Sequence, residues 1–382
     1  MKIVCAKNMP LVREAFGTLG EPVVLEGRAI GPADVRDAAL LAIRSTTMVD
    51  RALLDGSAVR FVGTATIGTD HMDIPYLERQ GIRWCSAAGC NANSVSEYVT
   101  AALLCLAERH GLSLAGLTLG VIGVGNVGSL VVRKGRALGL RVLQNDPPKQ
   151  AQTGAAEFVP LDALLAQSDI VTCHVPLERD GEHPTFHMAD ARFFEKCKPG
   201  CIFLNAARGA VVDTDALLAA LAAGKVAHAV IDTWEGEPEF RPDLLERVDL
   251  GTPHIAGHSF EGKVFGTVMV YREACTFLGR TPDWSHEPLM PEPVVPELVV
   301  DAADATDESV LRQLVRRVYD IEADDRRLRE GAGGDAAARA AHFDGLRKNY
   351  PMRREFRFTR VRVAHCGAPL RAKIANLGFQ VE

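Results

Sequence analysis

The sequence has no Cys-x-x-Cys pair, no long apolar run and no strong excess of one charge. Its nine cysteines are odd in number and scattered, which argues against a disulfide framework or a zinc site and favours a reducing cytoplasm. No uncharged apolar stretch approaches the ~18 residues of a membrane-spanning helix, and the amino-terminal segment is interpreted as a strand rather than a signal peptide. The net charge of −6 gives no general attraction to nucleic acid or to anionic membranes. We therefore expect a cytoplasmic globular protein that binds no metal, nucleic acid or membrane.

At 382 residues, the chain is too long for a single core. Short apolar runs alternate with helix-like segments in two successive series, which predicts parallel sheets covered by helices on both faces. The first series has five predicted strands, the last at 82–85, and a helix near 259–279 is expected to return the chain to it. The second series has six, from 118–122 to 249–251, as in a doubly wound dinucleotide-binding fold.

A composition break follows, because residues 281–298 carry five prolines and are interpreted as a stiff linker. Helices near 307–319 and 335–348 and an alternating strand at 355–363 are predicted beyond it. The fold class is thus α/β, with two doubly wound parallel-sheet domains and a small carboxy-terminal α+β domain. The predicted domains are a discontinuous domain of flavodoxin-like type at 1–95 and 258–283, a Rossmann-type domain at 96–257 inserted into it, and the small α+β domain at 284–382.

A glycine-rich run, GVGNVG at 123–128, directly follows a predicted strand and opens a predicted helix. Such glycines let backbone N–H groups approach a pyrophosphate at a helix amino terminus. Asp146 directly follows the next predicted strand, where a carboxylate accepts hydrogen bonds from ribose hydroxyls and repels a 2′-phosphate. This pattern predicts NAD rather than NADP, although Lys149 weakens the preference. The alternative interpretation is a glycine-rich turn with Asp146 as a cap.

Three complementary side chains follow three later strands of the same predicted sheet: Arg208, Glu237 and His254. A guanidinium can hold a carboxylate through two parallel hydrogen bonds, and an imidazole can take a hydroxyl proton. A carboxylate beside the imidazole would fix the ring and favour its protonated form. Taken singly, each could be a surface cation, a cap or a loop histidine. Together they indicate an oxidoreductase that moves a hydride and a proton off a hydroxy acid.

These residues, with several further stretches, resemble the D-isomer-specific 2-hydroxyacid dehydrogenases. The supporting stretches are RS at 44–45, FVGTATIGTDH at 61–71, GCNA at 89–92, DGEHPT at 180–185 and FDGLRKNYP at 343–351. The insertion at 180–185 and the tail look like those of members that oxidise a phosphorylated four-carbon hydroxy acid in pyridoxal 5′-phosphate biosynthesis. The alternatives are a relative acting on 3-phosphoglycerate and a non-catalytic, NAD-sensing protein like the corepressors of this family.

The resemblance implies that Arg208, Glu237 and His254 are catalytic, with His254 the acid/base. Together with the glycine motif, it predicts a set of residues that contact NAD: Gly123, Gly125, Asn126, Val127, Gly128, Asp146, Val175, Ala206, Ala207, Arg208, Asp232 and Gly257. For Asp232 the expected role is to hold the nicotinamide carboxamide, and the alternative is a turn cap.

The resemblance also places Ser45 and Thr66 at the substrate, and Arg44 joins them because it lies at a strand end of the same domain. His258 stands where the family's substrate-contacting tyrosine is expected. The resemblance implies that 1–95 with 258–283 is the substrate domain, that 96–257 is the NAD-binding domain, and that 284–382 is the dimerisation domain of a homodimer. It also implies a 2-oxo acid as a possible co-substrate that reoxidises the cofactor. The basic residues at 347–348 and 353–354 are interpreted as a solvated helix face rather than a phosphate contact.

Overall fold

The computed structural model describes residues 1–382, which form two compact units. The first unit comprises Met1–Asn91 and Ser259–Glu292, and the second comprises Ala92–His258 and Pro293–Glu382. The strands are β1 (Lys2–Ala6), β2 (Glu21–Leu25), β3 (Leu40–Ile43), β4 (Phe61–Thr64), β5 (Arg83–Ser86), β6 (Thr118–Ile122), β7 (Arg141–Asn145), β8 (Ile170–Cys173), β9 (Cys201–Asn205), β10 (Val226–Ile231), β11 (Leu250–Gly251), β12 (Glu297–Asp301), β13 (Arg360–Ala364) and β14 (Gln380–Val381).

The α-helices account for most of the remaining chain. They are α1 (Val12–Gly17), α2 (Pro32–Val35), α3 (Arg51–Leu54), α4 (Ile74–Arg79), α5 (Ala92–His110), α6 (Asn126–Ala137), α7 (Pro147–Thr153), α8 (Leu161–Gln167), α9 (Ala191–Lys196), α10 (Thr214–Ala222), α11 (Pro242–Arg247), α12 (Phe260–Phe277), α13 (Asp307–Val318), α14 (Ile321–Glu330), α15 (Ala336–Lys348) and α16 (Ala368–Leu377). Short 3₁₀ turns lie at Gly27–Ala29, Gly209–Val211, Glu287–Leu289 and Phe356–Phe358. No helix has both the length and the apolarity needed to cross a membrane.

The first unit contains a parallel five-stranded sheet in the order β2-β1-β3-β4-β5, which is the flavodoxin-like order. β3 and β4 are buried along their whole length, so they are continuous apolar runs rather than alternating ones. The returning helix α12 packs Val270 and Tyr271 into the same core as Phe16 and Phe61. Gly63 permits this packing, because a Cβ there would lie 2.2 Å from Val270 Cγ1.

The second unit contains a parallel six-stranded sheet in the order β11-β10-β9-β8-β6-β7. A seventh position beyond β7 is occupied only by a single-residue bridge between Gln144 and Phe158. The strand order reverses between β6 and β8, so the turn that follows β6 lies at the topological switch point. Ligands of doubly wound sheets bind at this point, outside the carboxyl ends of the strands.

The carboxy-terminal segment adds a parallel three-stranded sheet, β12-β13-β14, and four helices to the second unit. Its apolar residues join both cores of the dinucleotide-type sheet: Leu314 and Phe379 lie with α5 and β6, and Phe343 lies with β8 and β9. Phe343 packs against Phe240 with ring centroids 5.7 Å apart. The tail is therefore part of the hydrophobic core of the second unit.

Two sequence-based interpretations of the tail are wrong. The strand predicted over 355–363 begins only at Arg360, because Phe356 turns into a 3₁₀ segment and stacks on Phe379 with centroids 4.7 Å apart. Arg353 and Arg354 do not lie on a solvated helix face, since α15 ends before them and both are buried.

Candidate active site

The glycine turn between β6 and α6 is built for close backbone approach. Gly123 has φ +82°, and a Cβ there would lie 2.7 Å from the His174 carbonyl oxygen. A Cβ on Gly128 would lie 2.0 Å from the Gly123 carbonyl oxygen, so only glycine at this position lets the first turn of α6 pack directly against the glycine turn. A Cβ on Gly125 would meet no protein atom within 4 Å. Gly125 is the N-cap of α6, and the first residue of this helix, Asn126, is exposed beside the open space next to Gly125. The turn thus fits a pyrophosphate held by the N–H groups of a helix amino terminus.

Asp146 follows β7 and joins the glycine turn to the next helix. One carboxylate oxygen accepts from the Val124 N–H at 2.8 Å, and the other accepts from the Lys149 N–H at 3.0 Å and caps α7. The ammonium of Lys149 donates to the Val124 carbonyl at 2.7 Å. Asp146 therefore is a cap, but a carboxylate has about four lone-pair sites and can still accept ribose hydroxyls. Lys149 is bound to the turn itself rather than to a phosphate position.

Val175 follows β8, the strand next to the glycine turn in the sheet. Its Cγ1 would lie 2.8 Å from a Cβ on Gly123, so its side chain forms one wall of the turn. His174, which sequence reasoning did not select, lies beside it, and burial lowers the pKa of its imidazole to about 3. This ring is consequently neutral at physiological pH.

Arg208 lies in the loop after β9, and this loop is held by the buried side chain of Asn205. The Asn205 amide accepts from the Ala207 N–H at 3.1 Å and donates to the Arg208 carbonyl at 3.0 Å. Gly209 follows, and a Cβ there would lie 2.0 Å from the Trp234 carbonyl oxygen, so only glycine fits against the neighbouring loop. These contacts fix the backbone of Ala206, Ala207 and Arg208. The Arg208 guanidinium is held in turn, because its Nη1 donates to the Ala207 carbonyl at 2.9 Å.

Asp232 follows β10 and organises the loop after β11. It is buried, and its carboxylate accepts from the Thr252 hydroxyl at 2.6 Å, the Ile255 N–H at 2.8 Å and the Ala256 N–H at 3.0 Å. Burial raises the pKa of the carboxyl, and the charge of His254 and these hydrogen bonds offset part of that rise. Asp232 thus caps a turn, which was the alternative interpretation of this residue, and retains acceptor capacity for an amide donor.

His254 and Glu237 form a direct pair, with Nδ1 of the imidazole in hydrogen-bond contact with Oε1 of the carboxylate. The second oxygen of Glu237 accepts from the Trp234 N–H at 3.0 Å. Burial would raise the pKa of Glu237, but the charge and hydrogen bond of His254, the Trp234 N–H and the charge of Arg347 outweigh it and lower that pKa. The Glu237 carboxylate is therefore charged and fixes the ring through Nδ1, which leaves Nε2 for a substrate proton.

His254 itself has φ +54°, in the left-handed region that residues with a side chain rarely adopt. The turn continues through Gly257 to His258, whose N–H donates to the Ile255 carbonyl at 2.8 Å. The His258 ring packs edge to face on Tyr350 from the tail, with centroids 5.7 Å apart. The turn that carries His254 is thus bordered by the carboxy-terminal segment within the same unit.

The remaining predicted residues lie in the first unit and form a group of their own. Arg44 and the exposed Ser45 follow β3, and Thr66 follows β4, its direct neighbour in the sheet. The Thr66 hydroxyl is 2.7 Å from that of Thr64, which in turn is 2.9 Å from Nε2 of His71. These hydroxyl and guanidinium groups follow the carboxyl ends of adjacent strands, which is the edge of such sheets at which ligands bind.

The sequence did not indicate two residues from distant segments that hydrogen-bond to the loop carrying His254. Tyr98 in α5 places its hydroxyl 2.8 Å from that of Thr252, which extends the Thr252–Asp232 contact into the core. Arg353 in the tail donates to the Ala256 carbonyl at 2.6 Å. These contacts join segments far apart in the chain, so no local pattern could have indicated them.

Known proteins that are similar to this chain fall in one family. A model of the D-isomer-specific 2-hydroxyacid dehydrogenase NAD-binding domain matches residues 96–256, and a model described only as a domain of unknown function matches 289–378. Erythronate-4-phosphate dehydrogenase of Azotobacter vinelandii is 46% identical over 380 residues, and that of Pseudomonas paraeruginosa is 45% identical over 382. Each alignment covers 100% of both chains.

The solved structure of the TT0316 protein from Thermus thermophilus is 26% identical with a TM-score of 0.62, and the match covers 74% of this chain and 99% of the other. The fold class, the NAD cofactor and the dehydrogenase activity predicted from the sequence are confirmed by these matches. The chain therefore belongs to the erythronate-4-phosphate dehydrogenases, within the D-isomer-specific 2-hydroxyacid dehydrogenase family.

Proposed function

We propose that this protein oxidises 4-phospho-D-erythronate to (R)-3-hydroxy-2-oxo-4-phosphonooxybutanoate, a step of pyridoxal 5′-phosphate biosynthesis. The observation that carries the proposal is the His254–Glu237 pair, in loops that follow adjacent strands of a sheet whose switch point holds the glycine turn. The full-length match to erythronate-4-phosphate dehydrogenases supports the substrate. This match over the whole chain favours erythronate-4-phosphate over 3-phosphoglycerate as the substrate, and an enzyme over a non-catalytic sensor.

NAD supplies the hydride acceptor. His254 accepts the proton of the substrate's C2 hydroxyl at Nε2 as the C2–H bond breaks and its electron pair leaves as hydride, so that the alcohol becomes a ketone. The Glu237 carboxylate stabilises the imidazolium that forms. The turn that carries His254 is held in position by its hydrogen bonds to Asp232. Arg208 grips the substrate carboxylate through two hydrogen bonds and remains charged throughout.

The phosphate end of the substrate is assigned to the strand-end group of the first unit. Arg44 supplies a cation, and Ser45 and Thr66 supply hydroxyl donors, which is the chemistry that a phosphate dianion needs. His258 contributes a further donor. If this assignment is correct, Ser45→Ala and Thr66→Ala each reduce the affinity for phosphorylated substrates and change kcat little.

We also propose that the protein works in the cytoplasm as a homodimer joined largely through residues 284–382. Four of its eight exposed large apolar side chains, Leu289, Val294, Val299 and Met352, lie in that quarter of the chain, which supports an interface there. A 2-oxo acid serves as the reoxidising co-substrate in this proposal. Light scattering coupled to gel filtration tests the dimer, and a mass equal to one chain would contradict it.

Turnover assays test the function directly. The purified chain is incubated with 4-phosphoerythronate or 3-phosphoglycerate, with and without a 2-oxo acid, and the products are measured. We expect product from 4-phosphoerythronate. His254→Ala should abolish turnover while leaving NAD bound, because this residue acts on the proton and not on the cofactor. Preferred oxidation of 3-phosphoglycerate, or loss of NAD binding in the variant, would refute the assignment.

A further inference from the structure

Three side chains with metal-binding atoms meet in the second unit, away from the catalytic residues: His110, His228 and Asp249. Nε2 of His110 lies 2.7 Å from Oδ1 of Asp249, and Nδ1 of His228 lies 3.2 Å from the same oxygen. The two imidazole rings are stacked with centroids 3.6 Å apart. One ligand atom from each of the three residues lies within 4.8 Å of the others. Two imidazole nitrogens and one carboxylate thus form a single compact group.

The backbone fixes all three residues. His110 ends α5, His228 lies in β10, and Asp249 directly precedes β11, which pairs with β10. The second carboxylate oxygen of Asp249 accepts from the Ala229 N–H at 3.0 Å, and the Asp249 carbonyl accepts from Arg109 at 2.6 Å. The group therefore does not depend on mobile side chains for its assembly, and Asp249 already has the outer contact that orients a ligating carboxylate.

The spacing suits a small divalent ion. Tetrahedral zinc sites have metal–ligand bonds of about 2.0–2.2 Å, so their ligand atoms lie about 3.3 Å apart. The two nitrogen–oxygen separations, 2.7 and 3.2 Å, are close to that value, and the two imidazole nitrogens lie within 4.8 Å of each other. Binding of one ion requires the stacked rings to turn so that both nitrogen lone pairs face it. Two imidazoles with one carboxylate favour transition metals such as Zn²⁺, Co²⁺ or Ni²⁺ over Mg²⁺ or Ca²⁺, which prefer all-oxygen ligands.

The surroundings allow an ion to enter. The side chains of His110, His228 and Asp249 are 26%, 22% and 13% exposed, so water can reach the group and complete the coordination. The guanidinium of the neighbouring Arg109 is paired with Glu322 at 3.1 Å, which offsets its repulsion of a cation. A hydrated ion can therefore reach the three ligands from solvent.

We propose that His110, His228 and Asp249 bind one divalent transition-metal ion per chain, with Zn²⁺ as the reference ion and water as a further ligand. The ion joins the end of α5 to strands β10 and β11 and stabilises the second unit. It takes no part in the reaction, because Asp249 precedes β11 and His228 lies in the first half of β10, whereas the catalytic residues follow the carboxyl ends of these strands. No sequence motif indicates this site, since its ligands come from three distant segments.

Metal titration of the full-length, chelator-treated protein tests the proposal. We expect one Co²⁺ per chain to give the intense visible absorption of a four-coordinate site, and Zn²⁺ to displace it and to raise the melting temperature. His110→Ala and Asp249→Asn should each weaken binding at least about tenfold, because loss of an outer-shell partner alone costs 10–100-fold. Binding should also weaken on acidification, since protons compete for the imidazole nitrogens.

A matched control is His365→Ala, which removes an exposed histidine paired with Asp301 at 2.7 Å but with no third ligand. It should leave the titration unchanged. Equal binding by wild type and the His110→Ala and Asp249→Asn variants, or a sulfur charge-transfer band that indicates cysteine ligands, would overturn the proposal. Protection of His110 and His228 from diethylpyrocarbonate by Zn²⁺, mapped by mass spectrometry on the wild type, decides the question even where a variant does not fold.

Discussion

At the scale of single residues, the site depends on a carboxylate that stays charged while largely surrounded by protein. Glu237 can do so because it accepts from both His254 and the Trp234 N–H. Burial by itself would raise the pKa of this carboxyl. The hydrogen bond between His254 and Glu237 therefore both orients the imidazole and helps to keep the carboxylate charged.

We expect Glu237→Gln to lower turnover roughly 10²–10⁴-fold, because the amide no longer stabilises the protonated imidazole. The pKa of Glu237 is below its ordinary value, so its charge stabilises the fold above the unfolded pKa near 4.3 and this contribution is lost as pH falls through the lower folded pKa. The melting-temperature gap between wild type and variant should thus be full at pH 7 and close below about pH 4. Exposed Glu239→Gln is the control; a gap that widens in acid would contradict the argument.

His258→Tyr should flatten the pH dependence of the substrate KM below neutrality. An imidazole changes charge between pH 5 and 8, whereas a phenol does not. Steady-state kinetics from pH 5.5 to 8 measure this effect. His365→Tyr, in an exposed part of the tail, should leave the profile as in the wild type. An unchanged profile in His258→Tyr would remove this residue from the substrate site.

At the scale of secondary structure, two glycines of the same turn have different roles: Gly128 is needed for packing and Gly125 leaves space for the cofactor. A Cβ at Gly128 would lie 2.0 Å from a backbone oxygen, whereas one at Gly125 would meet no atom within 4 Å. Gly128→Ala should therefore destabilise the protein by about 1–3 kcal/mol or more. Gly125→Ala should keep the melting temperature but weaken NAD binding, because the methyl group occupies the space for the pyrophosphate. Thermal unfolding and NAD titration distinguish the two, and equal effects on both quantities would contradict this division.

Helices α5 and α6 are joined to the tail by a buried charge network. Lys134 lies 3.8 Å from Glu97, both side chains are 1% exposed, and the ammonium also donates to the Leu377 carbonyl at 2.7 Å. Burial raises the pKa of Glu97 to about 8 and lowers that of Lys134, and each partner's charge opposes the shift of the other.

Lys134→Met should destabilise the protein by about 3–5 kcal/mol, because it removes one partner of a buried pair and leaves the Leu377 carbonyl and the Asn93 amide oxygen without the ammonium that donates to them. The matched control is Lys196→Met, which breaks an exposed pair with Asp162 at 2.7 Å and should cost no more than about 1 kcal/mol. Chemical denaturation measures both. Adding Glu97→Gln to Lys134→Met should recover little of the loss, because the raised pKa keeps Glu97 largely protonated at pH 7. Full recovery in the double variant would contradict this explanation.

At the scale of the whole molecule, the tail and the dinucleotide-type domain are expected to unfold together. Phe343 is fully buried and packs on Phe240, close in sequence to Glu237. Phe343→Ala should cost about 3–5 kcal/mol and shift one cooperative transition, while exposed Met352→Ala should have little effect. Hydrogen exchange followed by mass spectrometry measures this. A tail that opens alone, with residues 96–257 still protected, would contradict the prediction.

How far the sequence predicted the fold depended on burial. β4 and β9, buried along their whole length, were predicted to the residue, because a parallel strand covered on both faces is rich in consecutive apolar residues. The tail was predicted less well. Helix α14 was not predicted, because its large buried apolar residues are only Ile321 and Leu328. Phe356 was expected in a strand but instead stacks on Phe379. Where side chains from distant segments decide a conformation, local periodicity carries no signal.

The sequence by itself determined the two doubly wound sheets, the glycine turn with its preference for NAD, and the choice of Arg208, Glu237 and His254, because these features have local patterns of strand, turn and residue type. Only the tertiary structure decided that Asp232 holds the turn carrying His254, that buried Arg353 supports that turn from the tail, and that His110, His228 and Asp249 meet. The physical reason is that hydrogen-bond satisfaction of a buried group is a property of everything packed around it, and those neighbours come from anywhere in the chain.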